Sequence, residues 1–346
     1  MKALGEEFEK FSRRQAIWYR SVHRGLLICL MIALATTFIA DHYGGPTLLY
    51  ALLFGMSLHF LSENESCRPG IEFAARTVLR VGVALLGVRI TYEQVQALGI
   101  GPIALVFVAV SVVIISGAVF ARLLGLQRDL GLLTGGAVAI CGASAALALS
   151  AVMPRNATHE RNTILTVVGV TTLSTLAMVT YPLIVGALDL PDTQAGIFLG
   201  GTIHDVAQVV GAGYMISDEA GDVSTLIKLL RVAMLVPVVF AFMWFFRKAR
   251  KDQKSGGHAV MLPGFLVVFI LLVAINSFGL IPNALGDGLS TLSRWCLVAA
   301  IAALGLKTSL QNLATVGWRP VWLMLFETVL LLGLVLGVIL YAGFGT

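Results

Sequence analysis

Apolar residues form long runs along almost the whole chain, separated by short polar stretches. A helix needs about 20 residues to cross the hydrocarbon core of a membrane. Because backbone polar groups in lipid must be hydrogen-bonded within the protein, runs of this kind predict helices. The pattern predicts an all-α polytopic membrane protein with about 11 transmembrane segments, at residues 24–40, 46–61, 73–88, 101–121, 131–151, 163–187, 195–212, 224–246, 262–280, 294–306 and 320–342.

The composition agrees with a membrane location. Of the 346 residues, 58% are hydrophobic and 12% are charged, whereas about 25% of residues are charged in soluble domains. Residues 1–23 mix acidic and basic side chains ahead of the first apolar run, which predicts a cytoplasmic amphipathic segment and not a secretory signal. Residues 24–346 then form the transmembrane domain. The cysteines show no paired spacing and predict neither a disulfide nor a zinc site.

The placement of charge predicts the orientation of the chain. The net charge is +5, and basic residues gather in the N-terminal segment and in the loop 247–258. Basic loops stay on the cytoplasmic side of a membrane, so we expect a cytoplasmic N-terminus and, from the crossing count, a periplasmic C-terminus. The same placement argues for a lipid bilayer as the partner of these charges and against nucleic acid.

One polar loop tests the crossing count. Arg155 and Arg161 would lie outside if residues 131–151 crossed fully, but they move to the cytoplasm if the segments 131–151 and 195–212 are both re-entrant or broken. The sequence therefore favours two discontinuous helices. The glycine pairs at 135–136 and 200–201 mark the expected breaks.

Two pairs of segments suggest internal repeats. Residues 84–102 resemble 302–320, with matching glycine, basic and proline positions, and residues 135–146 more weakly resemble 200–211. The first pair falls on opposite sides of the membrane, as in the inverted repeats of secondary transporters. Because the two pairs have different offsets, we expect a permuted order. Chance similarity between helices rich in glycine and alanine is the alternative reading.

Ionisable side chains inside the apolar runs need a reason, since each costs about 2.5 to 3.5 kcal/mol on insertion scales. On a continuous helix, His204 and Gln208 share one face and Asp205 points about 100° away. We therefore predict His204 and Gln208 as substrate-binding residues. Asp205 is predicted to pair with Lys228 or Arg231 in a structural or ion-coupling charge network. The alternative is that these three groups only neutralise one another and have no functional role.

A second polar feature lies in the "ICGASA" segment. A half-helix that begins at Gly142, Ala143 and Ser144 would aim its positive dipole end and open amide groups at an anion. Tight packing of small residues between helices explains the same composition equally well. Arg80 can hold an anion with its guanidinium group, whereas Arg76 is expected to reach the cytoplasmic surface.

The segments "ICGASA", "GTIHDVAQVVGAG", "KLLRVAMLVP" and "LGLKTSL", taken together, resemble the sulfate exporter family of YeiH-like bacterial inner-membrane proteins. That family is placed in the bile acid/arsenite/riboflavin transporter superfamily. The resemblance implies inverted repeats, a core and a panel domain, and two discontinuous helices that cross at the substrate site. It carries functional roles over to residues 141–145, His204, Asp205, Gln208, Lys228, Arg231 and Lys307.

The expected function is therefore a secondary transporter that exports a small oxyanion resembling sulfate or sulfite across the inner membrane by alternating access. No metal or cofactor is expected, H⁺ or Na⁺ are the candidate coupling ions, and a homodimer is the candidate assembly. His204 could change protonation near neutral pH, and Asp205 could bind Na⁺. A transporter of a small organic anion, an anion channel and a membrane-embedded sensor stay open as alternatives. Familiar catalytic motifs are missing from the sequence, so we expect no enzyme.

Overall fold

A computed structural model describes residues 2–247, 263–308 and 318–342, and within these ranges all regular secondary structure is helical. The predicted loop 247–258 lies outside the described residues apart from Arg247, and so does much of the second repeat segment, 302–320. Six described helices are long and apolar enough to cross a membrane: Ser21–Tyr43, Ile100–Leu123, His159–Ala187, Asp218–Phe245, Asn283–Lys307 and Trp318–Tyr341. The chain is thus a polytopic helical membrane protein.

The first of two compact units contains residues 2–85 and 287–308. Its glycines bring helices into close approach: a Cβ atom on Gly25 would meet the backbone at Gly70, and one on Gly55 would meet the backbone at Gly305. Small residues of this kind allow membrane helices to pack backbone against backbone. The helices are α1 (Lys2–Tyr43), α2 (Thr47–Ser57), α3 (Phe60–Glu63), α4 (Arg68–Phe73), a π-helical turn (Ala74–Val78), α5 (Leu79–Leu85) and most of α16 (Asn283–Lys307).

The second unit contains residues 86–247, 263–286 and 318–342. It begins with a 3₁₀ turn (Leu86–Val88) and continues through α6 (Tyr92–Ala97), α7 (Ile100–Leu123), α8 (Arg128–Ala139), α9 (Ala143–Val152), α10 (His159–Ala187), α11 (Asp192–Thr202), α12 (Val206–Ile216), α13 (Asp218–Ala233), α14 (Leu235–Phe245), α15 (Gly264–Ser277) and α17 (Trp318–Ala342).

This unit contains two pairs of short helices, and each pair is separated by a three-residue interruption. Residues 140–142 separate α8 from α9, and residues 203–205 separate α11 from α12. At the first interruption Gly142 adopts a φ of 62°, in the left-handed region where glycine carries no Cβ penalty. At the second, Ile203 and Asp205 are extended. Both interruptions fall inside segments 131–151 and 195–212.

The expected position of the breaks was wrong by about four residues at the first interruption and about two at the second. Gly135 and Gly136 lie within α8, and Gly200 lies within α11. A Cβ atom on Gly135 would contact the Val113 carbonyl, and one on Gly200 would contact the Ser224 carbonyl. These glycines therefore serve close packing against neighbouring helices, which explains their clustering without a break in the chain.

Candidate functional site

The two helix interruptions meet around buried cationic side chains of α13. Lys228, which is 0% exposed, donates from Nζ to Ile140 O at 2.6 Å, to Ile203 O at 3.0 Å and to His204 O. Its three ammonium protons thus serve carbonyl groups from both interruptions. One side chain therefore holds the two breaks against each other.

Arg231 performs the same role one turn further along α13. This guanidinium is 1% exposed, and its donors reach the ends of both α8 and α11. The acceptors are Ala139 O at 2.8 Å from Nε, Gly200 O at 3.0 Å and Ile203 O at 2.9 Å from Nη1, and Val138 O at 2.8 Å from Nη2. The last carbonyls of a helix have no intrahelical donor, so Arg231 satisfies groups that the interruptions would otherwise leave unpaired.

This arrangement determines the electrostatic sign of the site. The C-terminal, negative ends of α8 and α11 are covered by the two cations. The N-terminal, positive ends of α9 and α12 begin at the same interruptions, and an added Cβ on Gly142 would lie 3.6 Å from His204 O. Positive helix ends and fixed cations in one place favour an anion.

His204 and Gln208 lie in this site with unsatisfied atoms. They are 0% and 1% exposed. His204 Nε2 is 3.0 Å from Thr328 Oγ1, and Gln208 Nε2 donates to Thr175 Oγ1 at 3.4 Å. Among the described residues His204 Nδ1 and Gln208 Oε1 have no hydrogen-bond partner. The Val138 carbonyl lies near the imidazole but makes no hydrogen bond to Nδ1.

Such unpaired buried atoms are costly, at about 1 to 3 kcal/mol each. Two of them beside a positive site indicate a place where a ligand completes the hydrogen bonding. The predicted geometry, however, was wrong: His204 precedes the first residue of α12, Val206, and so does not share a helical face with Gln208. The interruption itself turns the imidazole inward.

The remaining predicted residues are placed as follows. Gly142 is buried, Ala143 is half-buried and Ser144 is exposed, so the start of α9 is accessible from one side. Asp205 is half-buried, and its charge acts on Lys228. Since carbonyl groups already hold Lys228 and Arg231, pairing with Asp205 as their structural lock stays a prediction.

Arg80 and Lys307 belong to the first unit. The Arg80 side chain is exposed and that of Lys307 is half-buried. Their assignment to the substrate site and to the charge network therefore stays a prediction.

Several residues around the site escaped the sequence analysis. Ser174 Oγ accepts the Asp205 amide at 3.0 Å, and Thr175 and Thr328 contact Gln208 and His204. Glu327, next to Thr328, is 0% exposed. The available signals were the run of hydroxyl residues at 171–175 and a single carboxylate in the middle of the apolar run 320–342.

Comparison with known proteins gives consistent matches over most of the chain. The family model described as conserved hypothetical protein 698 matches residues 24–324. A UPF0324 membrane protein of Chlorobaculum tepidum is 52% identical over 318 residues, which cover 92% of this chain and 89% of the relative. The UPF0324 membrane protein TauZ of Paracoccus denitrificans is 49% identical over 309 residues, covering 89% and 91%. No solved structure matches the chain significantly.

Proposed function

Because the chain belongs to the UPF0324 family of membrane proteins, we propose that it is a secondary transporter for a small oxyanion resembling sulfate or sulfite. It would export this anion across the bacterial inner membrane by alternating access. One observation carries the proposal: two interrupted helices meet at buried cations, with unpaired polar atoms of His204 and Gln208 beside them.

The arrangement supports an anionic substrate by its charge. Lys228 and Arg231 supply two fixed positive charges, and α9 and α12 add their N-terminal ends. Gln208 Oε1 can accept a hydrogen bond from an oxyanion that carries a proton. If the amide group turns, its nitrogen atom can instead donate to an oxygen of the anion. Ser144, exposed at the start of α9, adds a hydroxyl at the accessible side.

The helix order supports the proposed topology. The interrupted pair α8 and α9 followed by α10 corresponds to the interrupted pair α11 and α12 followed by α13 and α14. In the proposal these are the two discontinuous membrane helices of a permuted inverted repeat, within about 11 segments. Such helices place binding sites near the middle of the membrane in secondary transporters.

A Na⁺-coupled mechanism receives less support. In transporters with broken helices, carbonyl groups at half-helix C-terminal ends coordinate Na⁺. Here the carbonyls of Ile140, Ile203 and His204 already receive the Lys228 ammonium group. A side-chain cation thus occupies the place that the metal ion would take, and we expect anion transport to proceed equally well when Na⁺ is replaced by K⁺.

The test is efflux of labelled sulfate and of labelled sulfite from proteoliposomes. His204→Ala and Gln208→Ala are each expected to weaken anion binding about tenfold, the equivalent of one lost hydrogen bond to a charged group. Gln194→Ala is the matched control, because Gln194 is a buried amide on α11 away from the interruption. Unchanged transport in both site variants would contradict the site.

A further inference from the structure

Glu327 lies near the centre of α17, and among the described residues it makes no ion pair. It is 0% exposed, and an added Cβ on Gly117 of α7 would touch its carboxyl group. Its Oε1 atom is 2.7 Å from Thr134 Oγ1 of α8. Its Oε2 atom has no hydrogen-bond partner among the described residues. An ionised carboxylate in such a place would be strongly disfavoured.

The hydrogen-bond geometry at Thr134 agrees with a protonated acid. Thr134 Oγ1 also lies 3.0 Å from Leu130 O, and a hydroxyl group has a single proton to donate. If Glu327 is ionised, the carboxylate and the Leu130 carbonyl compete for that proton. If Glu327 is protonated, the acid donates to Thr134 and Thr134 donates to Leu130. Only the protonated form satisfies both contacts.

The ionisable residues on the neighbouring helices lie away from these contacts. Helix α7 carries Arg122, and α8 carries Arg128 and Asp129, each five or more positions from Gly117 or Thr134. Helices α10 and α11 also pack against α17, and their ionisable residues are His159, Glu160, Arg161, Tyr181 and Asp192. Within the described residues, the carboxyl group thus lies against Gly117 and the Thr134 hydroxyl.

The two helices that hold the carboxyl group, α8 and α17, also line a cavity, and α17 contacts the candidate anion site. The cavity is lined by Leu130, Arg161 and Arg319, among others, and Leu130 is one turn from Thr134. Thr328 follows Glu327 directly on α17 and contacts His204. A change in the packing of α17 at Glu327 would therefore reach the cavity lining and the His204 side chain.

We propose that Glu327 is a proton-binding site, distinct from the anion site, through which a proton gradient drives the transporter. The coupling rests on the proposed transport function, whereas the protonated carboxyl group does not. Loss of the proton would leave a negative charge opposite Thr134, and the carboxylate and the Leu130 carbonyl would then compete for the single proton of that hydroxyl. The deprotonated form would then favour a different packing of α17 on α8, which shifts Thr328 and the His204 ring.

The protonated acid is tested without transport. Infrared spectra of the protein in nanodiscs at neutral pH are expected to show the C=O stretching band of a protonated carboxylic acid. That band should be absent in Glu327→Gln and present in the matched control Glu160→Gln, since Glu160 is exposed. If Glu327→Gln fails to fold, Thr134→Val tests the protonated acid instead, because loss of the Thr134 hydroxyl must shift the frequency of the C=O band. A band that neither variant alters would overturn the proposal.

Coupling is tested with reconstituted protein, by comparing sulfite transport driven by a pH gradient with sulfite exchange at equal pH. In wild type and in Glu160→Gln the gradient is expected to accelerate transport several-fold, and in Glu327→Gln the ratio is expected to fall to unity. Equal acceleration in Glu327→Gln would overturn the coupling role. Absence of all sulfite and sulfate transport in wild type would instead count against the proposed function, while the infrared result stands.

Discussion

At the scale of single residues, the site is organised by two buried cations whose partners are backbone carbonyl groups. Lys228 and Arg231 contact the ends of α8 and α11 from one helix, α13. The sequence analysis could single out both residues, because ionisable side chains in apolar runs are costly and need a function. Their partners could not be predicted, because carbonyl groups become available only where a helix is interrupted.

The first prediction concerns Lys228. Lys228→Met keeps the length of the side chain but leaves the carbonyls of Ile140, Ile203 and His204 without their donor, so we expect a loss of about 3 kcal/mol or more of folding stability. Thermal unfolding in detergent measures it. Arg76→Met removes an exposed cation and should leave the midpoint almost unchanged. Equal midpoints for both variants would contradict the structural role of the ammonium group.

At the scale of elements, what matters is where α8 and α11 end. Sequence analysis expected breaks in the segments 131–151 and 195–212, where helices are interrupted at 140–142 and 203–205, but it assigned them to glycine pairs that lie inside the helices. Glycine is common in membrane helices both at breaks and at close contacts, so composition alone does not distinguish the two. The prediction that His204 and Gln208 share one helical face was wrong for a related reason, since helical periodicity does not continue across an interruption.

A second prediction tests the first interruption. Gly142→Ala has space for its methyl group, since the nearest atom, His204 O, is 3.6 Å away. The φ of 62° and ψ of −126° at this position should nevertheless cost about 1 to 3 kcal/mol for alanine and lower anion affinity. Gly186→Ala, in α10 with nothing within 4 Å of the added Cβ, should be neutral or stabilising. Anion affinity and the unfolding midpoint are measured for both variants. Equal losses in Gly142→Ala and Gly186→Ala would contradict a special role for the backbone conformation of Gly142.

At the scale of the whole molecule, the described residues form a polytopic helical protein, and we predict its orientation from the placement of charge. Helix α10, with 29 residues, is long enough to separate the two membrane faces. The loop before it carries Arg155 and Arg161, which the positive-inside rule places in the cytoplasm. That placement requires the segment 131–151 to return to its side of entry.

The third prediction tests this orientation by labelling cysteine variants with a membrane-impermeant maleimide. Asn156→Cys, at an exposed position before α10, should react only after the membrane is opened, and Leu188→Cys, at an exposed position after it, should react in intact spheroplasts. Labelling of the protein without substitutions measures the background reaction of the native cysteines, of which Cys29, Cys67 and Cys141 are buried. Labelling of Asn156→Cys in intact spheroplasts would show that residues 131–151 cross fully.

The sequence by itself determined the membrane class and helical content, because run length and the absence of water in lipid leave few alternatives. It also predicts a site at the segments around Gly142 and His204, since polar residues are costly there. Tertiary structure decided which groups meet. Lys228 and Arg231 are paired with carbonyls from residues about 90 positions away, and Glu327 is paired with Thr134, 193 positions away. Contacts between distant residues depend on helix packing, which hydropathy and spacing along the chain do not encode.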